Sequence, residues 1–337
     1  MKFRHVIRTI ETHTGGNPTR TVIAGAPRLR GATMMEKMEA MRQHADWIRT
    51  VLTYEPRGMS VMSGAVLTDP VHPEADFGVV YFEVGGYLPM CGHDTIGLVT
   101  ALVETGQVPI VEPETVIVLD TPAGLVRTVS RVEGGRVREV AFDNVPAFVL
   151  AQDLVVPVEG GEVGSVRLDI AWGGNFYGIV EASSVGVHLD RDHAAHAIEV
   201  ARRIRTAVDA RVDVVHPEFD NVRGLTHIEF FGPADDDRAD VKNLVIVPPG
   251  GVDRSPCGTG TAAKTAVRVA RAEMAIGESF RHASVTGAVF TATALEEVRV
   301  GPYKGVRARI AGSAHLHGDS TFVVEPDDPL WQGFLLG

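Results

Sequence analysis

Two similar α/β lobes are the fold this sequence predicts, and three observations predict it. Short apolar runs alternate with Gly, Pro and Asp punctuation along the chain, which is a strand-rich pattern. Met90–Thr95 (MCGHDT) and Pro256–Thr261 (PCGTGT) share the pattern Cys-Gly-x-x-Thr, and their cysteines stand about half a chain length apart. Both motifs follow an extended segment with turn residues, and both open an amphipathic helix. A repeat of a whole strand–turn–helix unit at half-chain spacing means two lobes of one design.

The individual elements follow from their periodicity. Phe77–Val84, Thr115–Leu119, Gly164–Ala171, Thr226–Phe231 and Asn243–Val247 are apolar runs of strand length. Thr33–Val51 carries Met34, Met38, Met41, Ala45 and Ile48 on one helical face, and His193–Val208 carries Ala197, Val200, Ala201, Ile204 and Val208. The helix after Cys91 shows Ile96, Val99, Leu102 and Val103 on one face and stops at Gly106. The helix after Cys257 shows Ala263, Ala266, Val267, Ala270 and Met274, with Gly277 just beyond. No linker separates the lobes, so the boundary falls in a short turn, with Asp143–Pro146 (DNVP) as the candidate.

Composition narrows the function. The 337 residues are 45% hydrophobic and 22% charged, with mean hydropathy +0.07, an ordinary globular balance. A net charge of −11 argues against a nucleic-acid or anionic-membrane surface. No apolar run approaches the roughly 20 residues of a membrane span. Residues 1–14 lack a signal-peptide apolar core, so a cytoplasmic location is expected. None of the five lysines (Lys2, Lys37, Lys242, Lys264, Lys304) sits in a recognisable Schiff-base motif.

The two cysteines are too few for a disulfide framework, so each needs its own explanation. A cysteine at the first turn of a helix meets unpaired N–H groups and the positive end of the macrodipole, both of which favour thiolate. The glycine after each cysteine lets a ligand approach the backbone, and the N–H groups that follow form an anion site. If both lobes face one cleft, two thiols flank a carboxylate. Such a site can take a proton from one face of an amino-acid Cα and return one to the other. The plainer readings are buried, inert cysteines, a redox pair without the usual Cys-x-x-Cys, or a zinc site, for which His93 near Cys91 lacks a second ligand pair at metal spacing.

Met90–Gly97 (MCGHDTIG) and Asp253–Thr261 (DRSPCGTGT) resemble the two active-site motifs of the proline racemase family, whose fold is that of diaminopimelate epimerase. The resemblance extends over nearly the whole chain, through His13–Arg20 (HTGGNPTR), Glu55–Gly58, Gly85–Leu88, Leu119–Val126, Trp172–Phe176 (WGGNF) and Trp331–Phe334. It implies two lobes, each a curved mixed β-sheet or barrel around a central helix, with the active site in the cleft between them. Residues 1–145 with 320–337 would form the lobe carrying Cys91, and 146–319 the lobe carrying Cys257. It further implies that Cys91 and Cys257 are the acid/base pair and that no cofactor or metal is needed. Gly92, His93, Gly258 and Thr259 would hold the substrate carboxylate at the helix N-termini, and Asp253 would stand beside the ring nitrogen. The plainer readings are a turn or cap residue for Asp253 and a satisfied histidine for His93. Homodimers are common in the family. Asn17 stands where the family often has Glu, and Asp94, at a position that varies, would oppose a thiolate at Cys91 if it pointed that way.

The family holds proline racemases, hydroxyproline 2-epimerases and trans-3-hydroxyproline dehydratases. Dehydratases resembled here carry Ser or Thr in place of the first cysteine, so Cys91 implies a two-base isomerase. Proline racemases tend to place Phe where this chain has Ser63 and Val247, and His227 stands where a small or apolar residue is common. An unsubstituted ring suits an apolar wall, whereas a ring hydroxyl buried without a partner costs about 1–3 kcal/mol. Ser63 and His227 would supply that partner, which gives trans-4-hydroxy-L-proline as the expected substrate. Proline racemisation by the same chemistry, and a non-catalytic binding or redox-sensing relative, are the alternatives; the plainer reading of Ser63 and His227 is that they bond backbone or each other.

Overall fold

The computed structural model describes residues 2–159 and 164–336. The chain divides into two compact units, Met1–Phe142 with Gly312–Gly337, and Asp143–Ala311.

In the first unit the strands are β1 (His5–Thr14), β2 (Asn17–Ala24), β3 (Ser63–Thr68), β4 (Phe77–Glu83), β5 (Gly86–Leu88), β6 (Glu114–Thr121), β7 (Gly124–Glu133) and β8 (Arg136–Asp143), joined by β18 (Ala314–Val324) from the far end of the chain. β18 lies antiparallel to β1, and β1 to β2. β2 runs parallel to β3, β3 antiparallel to β4, and β4 antiparallel to the short β5 and parallel to β6, which pairs antiparallel with β7. The strand that re-enters this unit begins at Ala314, so the expected boundary at residue 320 falls inside it.

The second unit contains β9 (Ala147–Pro157), β10 (Ser165–Trp172), β11 (Phe176–Glu181), β12 (His227–Pro233), β13 (Val241–Val247), β14 (Gly251–Val252), β15 (Ser279–Ala283), β16 (Val289–Val300) and β17 (Tyr303–Gly312). Its pairings repeat the first unit step for step. β9 is antiparallel to β10 and β10 to β11; β11 is parallel to β12; β12 is antiparallel to β13; β13 is antiparallel to β14 and parallel to β15, which pairs antiparallel with β16. β17 then joins β16 to β9, so this mixed sheet closes into a barrel. A closed sheet has no edge strand, and every inward side chain faces a shared interior.

Each unit wraps a helix. α3 (Gly92–Glu104) touches β1, β2, β3, β7 and β18, and α5 (Gly258–Ala270) touches β9, β10, β11 and β16. Every residue of α3 from Gly92 to Val103 is buried, so the expected one-sided stripe is a helix buried all round. In α5 the expected Ala263, Ala266 and Val267 are buried, whereas Ala270 is exposed at its end and Met274 lies beyond it. α5 is rich in Gly, Ala and Thr because strands crowd it from several sides.

The remaining helices cover the outside. The predicted helix over Thr33–Val51 is two, α1 (Met34–His44) and α2 (Trp47–Thr53). Ala45 leaves helical geometry at φ −140° and Asp46 starts the second helix. Thr33 caps α1, accepting the Glu36 N–H at 3.1 Å. Both helices bury Met41, Ile48 and Leu52 against Ile7, Val22, Val80 and Phe82 of the sheet. α4 (Ala194–Asp209) buries the five apolar residues its periodicity marked. Among the described residues no helix is long and apolar enough to cross a membrane.

Candidate active site

The residues singled out in the sequence form two groups, one at the head of each central helix. Cys91 is the N-cap of α3 and Cys257 that of α5, and both are buried thiols. Gly92 and Gly258 are the first helical residues, so their N–H groups and those of His93 and Thr259 lack intrahelical acceptors. The shared threonine of the two motifs is structural. Thr95 Oγ1 donates to the Cys91 carbonyl at 2.7 Å, and Thr261 Oγ1 to the Pro256 carbonyl at 3.1 Å, each fastening the turn ahead of its helix.

Around Cys91 the partner is His93, whose Nδ1 lies 3.6 Å from Sγ. The other ring nitrogen, Nε2, is 2.9 Å from Asn17 Nδ2 and 2.8 Å from Ser63 Oγ. The Asn17 amide nitrogen can only donate to Nε2, whereas the Asp94 carboxylate can only accept from it, so the neighbours of this nitrogen favour opposite protonation states of the ring. Asp94 lies on the Nε2 side, with Oδ1 accepting from Thr19 and Ser63 at 2.7 Å each and 3.3 Å from Nε2. It therefore does not point at Cys91. Burial pushes the Asp94 carboxyl up, but His93 and the hydrogen bonds from Thr19 and Ser63 outweigh that and hold it below its ordinary value. Cys91, His93 and Asp94 place metal-ligating atom types within 4.8 Å of one another. Sulfur and carboxylate, however, face opposite nitrogens of one imidazole, which cannot offer both to a single ion; the geometry is that of a hydrogen-bond chain.

Asn17 thus acquires a role that its departure from the family pattern left open. Asn17→Asp removes the donor to Nε2 and sets a second carboxylate beside it, which favours the doubly protonated ring and so imidazolium beside Cys91. Alkylation of Cys91 by iodoacetamide near neutral pH should rise roughly tenfold, while Cys257 is unaffected. Mass spectrometry resolves the two peptides, and an unchanged Cys91 rate would mean that the charge of the His93 ring does not act on the thiol.

Around Cys257 the partner is Tyr177 on β11, whose hydroxyl lies 3.2 Å from Sγ and 2.6 Å from Thr259 Oγ1. Asn175 Nδ2 reaches Thr259 Oγ1 at 3.4 Å, so the WGGNF segment supplies both the amide and the strand that carries the phenol. The loop before Cys257 is fixed by its own side chains. Asp253 Oδ1 accepts the Ser255 N–H at 2.8 Å, Ser255 Oγ accepts the Cys257 N–H at 3.1 Å, and Asn243 donates to the Pro256 carbonyl at 2.7 Å. Cys257 itself is held at φ +62°, a region that side-chain-bearing residues seldom occupy. Burial pushes its thiol well above the ordinary value, with Asp253 and Glu229 acting in the same direction and the Tyr177 hydroxyl and Gly260 N–H against it.

Asp253 Oδ1 thus takes part in the turn that presents Cys257. His227 is buried against Tyr177, ring centroids 4.8 Å apart, with Nδ1 2.7 Å from Thr226 Oγ1. Burial and the nearby Arg205 push the imidazole down to about 3, so it is neutral. Ser63 Oγ lies 3.0 Å from the Pro18 carbonyl as well as contacting His93 and Asp94, so its hydroxyl is already engaged. Val247 ends β13. Sequence reasoning missed Tyr177 and Thr19; Tyr177 adjoins a marked motif, but a tyrosine in an apolar strand reads as core.

Comparison with known proteins agrees with this arrangement. A family profile described as Proline racemase matches residues 9–335. The chain belongs to the proline racemase family. It is an amino-acid racemase/epimerase. A 4-hydroxyproline 2-epimerase of Streptosporangium roseum is 43% identical over 100% of both chains, and a proline racemase of Clostridioides difficile is 41% identical over 100% of both. The crystal structure of a hydroxyproline epimerase from Agrobacterium vitis, with bound trans-4-OH-L-proline, superposes with a TM-score of 0.93 at 29% identity, covering 100% of this chain and 97% of that one.

Proposed function

We propose that this member of the proline racemase family inverts C2 of trans-4-hydroxy-L-proline, giving cis-4-hydroxy-D-proline, with Cys91 and Cys257 as the acid/base pair. An α-hydrogen is a very weak acid, so removing it needs donors already placed where charge develops. The N–H groups of Gly92, His93, Gly258 and Thr259 are such donors, and the substrate carboxylate is their acceptor. Inversion needs a thiolate and a thiol on opposite faces of one Cα. His93, with Nδ1 3.6 Å from the sulfur, suits a thiolate at Cys91, and the Tyr177 hydroxyl and Gly260 N–H suit one at Cys257. In the reverse direction the two thiols exchange roles. No step calls for a cofactor.

The observation that carries the substrate reading is His227. It is a neutral, buried imidazole oriented by Thr226 and packed against the tyrosine that touches Cys257. A polar group held there favours a ring hydroxyl over an unsubstituted ring. Ser63 contributes by orienting His93 and Asp94 and by being small where racemases tend to carry Phe. Proline racemisation is the second reading, because relatives of both names stand at 43% and 41% identity.

Proton NMR in deuterated water tests both. With trans-4-hydroxy-L-proline the α-proton signal should vanish as the C2 epimer grows, faster than with L-proline. Faster exchange on L-proline would assign proline as the substrate. No exchange with either would leave a non-catalytic relative.

A further inference from the structure

Inside the barrel of the second unit, behind Cys257, lies a carboxyl group that the reaction above does not use. Glu229, at the centre of β12, is fully buried, and neither of its oxygens has a hydrogen-bond partner among the described residues. It faces the first turn of α5. A methyl group on Gly260 would lie 2.8 Å from Glu229 Oε2, 3.1 Å from the Tyr177 ring and 3.2 Å from Cys257 Sγ. Carboxyl, phenol and thiol therefore converge on one glycine, and a side chain there would collide with the carboxyl and crowd the other two.

Each element packed around Glu229 brings its own titratable group. His282 on β15 places Nε2 3.8 Å from Oε1, and its Nδ1 is 3.0 Å from Thr261 Oγ1. Lys264 on α5 lays its ammonium 2.9 Å from the centroid of the Phe231 ring, two residues along β12. His227 shares the strand, Tyr177 and Cys257 close the far side, and Asp253 stands by the thiol. Asp169, Glu273 and Arg268 act on Lys264 from further out, and Arg205 on His227.

We propose that Glu229 is a positioning residue for Cys257: an enclosed carboxylic acid behind Gly260 whose charge state governs how readily the Cys257 thiol ionises. The proposal deepens the reading of Cys257 as an acid/base group. While Glu229 carries its proton, the thiol meets only dipoles on this side. Once Glu229 loses it, a negative charge a few ångströms away opposes the thiolate. Burial pushes the Glu229 carboxyl up to about 8, against the pull of Lys264, and burial pushes Lys264 down. Burial thus favours the protonated carboxyl and carries the loss of its proton towards the range in which thiols titrate. Burial pushes His282 down to about 3, so it stays neutral and cannot compensate the new charge.

The test reads the thiol itself and does not depend on which amino acid is the substrate. Iodoacetamide alkylation of Cys257 and Cys91 is followed by peptide mass spectrometry between about pH 6 and 10, spanning thiol titration. The full chain is compared with Glu229→Gln and Lys264→Met. Glu229→Gln keeps the shape and removes the ionisation. Its Cys257 should react as the parent does near neutrality and roughly threefold to tenfold faster at the alkaline end, with Cys91 unchanged. Lys264→Met removes the cation that favours ionised Glu229, so its Cys257 profile should move in the same direction. It supplies the answer even if the glutamine variant fails to fold. Identical Cys257 profiles in parent and variants would overturn the proposal. A uniform change at both cysteines at every pH would also overturn it, since that marks a packing defect.

Discussion

Cys91→Ser and Cys257→Ser are each expected to lower the epimerisation rate by roughly a hundredfold to ten-thousandfold, the usual contribution of a positioned acid or base. Serine nearly preserves the shape of the side chain, so the loss reports proton transfer rather than packing. N–H donors at a helix N-terminus favour a thiolate, working at Cys257 against the burial that raises it, but a hydroxyl starts far too high for the same donors to ionise it at neutral pH. The two variants should also differ from each other in a diagnostic way. The cysteine that remains can take the α-proton from the epimer it faces and return a deuteron to the same face. Each variant should therefore exchange the α-proton of one epimer without inverting it, and the two should choose opposite epimers. Proton NMR in deuterated water on both hydroxyproline epimers measures this. A full inversion rate in either variant would end the two-thiol mechanism, and exchange of the same epimer by both would mean a single base.

Local chemistry decides how much of this was legible in the chain. The cysteines announced themselves because a Cys-Gly turn at a helix start is a contiguous pattern, and its recurrence exposed the duplicated design. The structure extends that six-residue repeat to the pairing sense of nearly every strand, from β18–β1 and β9–β10 through β6–β7 and β15–β16. No run of letters carries that information, because the strands of the two units have diverged while the hydrogen-bond ladder has not. Periodicity failed where burial was complete. α3 shows an apolar stripe in the sequence, yet its other face, with His93, Asp94 and Thr100, is equally buried: strand threonines donate to the His93 carbonyl and the Asp94 carboxylate, and Thr100 donates to the Ile96 carbonyl of the helix itself.

The groups around each thiol were illegible for a different reason. Tyr177 is 80 residues from Cys257, and Asn17 is 76 from His93. Each comes to its partner on a strand whose register alone fixes the contact. Glu229 is harder still, since a carboxylate between Ile228 and Phe230 in an apolar strand reads as a residue turned to solvent. Its burial follows from the closure of the barrel, which turns what would be an outer face of an open sheet into an interior.

Closure of that barrel around α5 leads to a large stability effect expected of a single methyl group. Gly173 lies in the turn between β10 and β11, in the WGGNF segment. A Cβ there would lie 2.2 Å from the Thr259 carbonyl oxygen and 2.6 Å from the Ala263 backbone nitrogen. Both are backbone atoms of the helix, which no rotamer change can move aside. The Gly173 carbonyl also accepts the Asn144 side-chain amide at 2.7 Å, and its N–H reaches the Asn175 carbonyl at 3.1 Å, so the turn cannot swing away cheaply. Gly173→Ala must instead push the first turn of α5 outward, at a cost of about 3 kcal/mol, the upper part of the range for overpacking. The displaced atoms include the backbone of Thr259, and through it the Tyr177 hydroxyl and Cys257. Epimerisation should fall together with the urea midpoint, and activity should fall further than unfolding alone accounts for, because a shift of about 1 Å at a reacting group costs on the order of a hundredfold. A variant with the parent's midpoint and rate would mean that the turn and helix are looser than the contact implies. Loss of stability with full activity in the folded fraction would mean that the head of α5 does not position the reacting thiol.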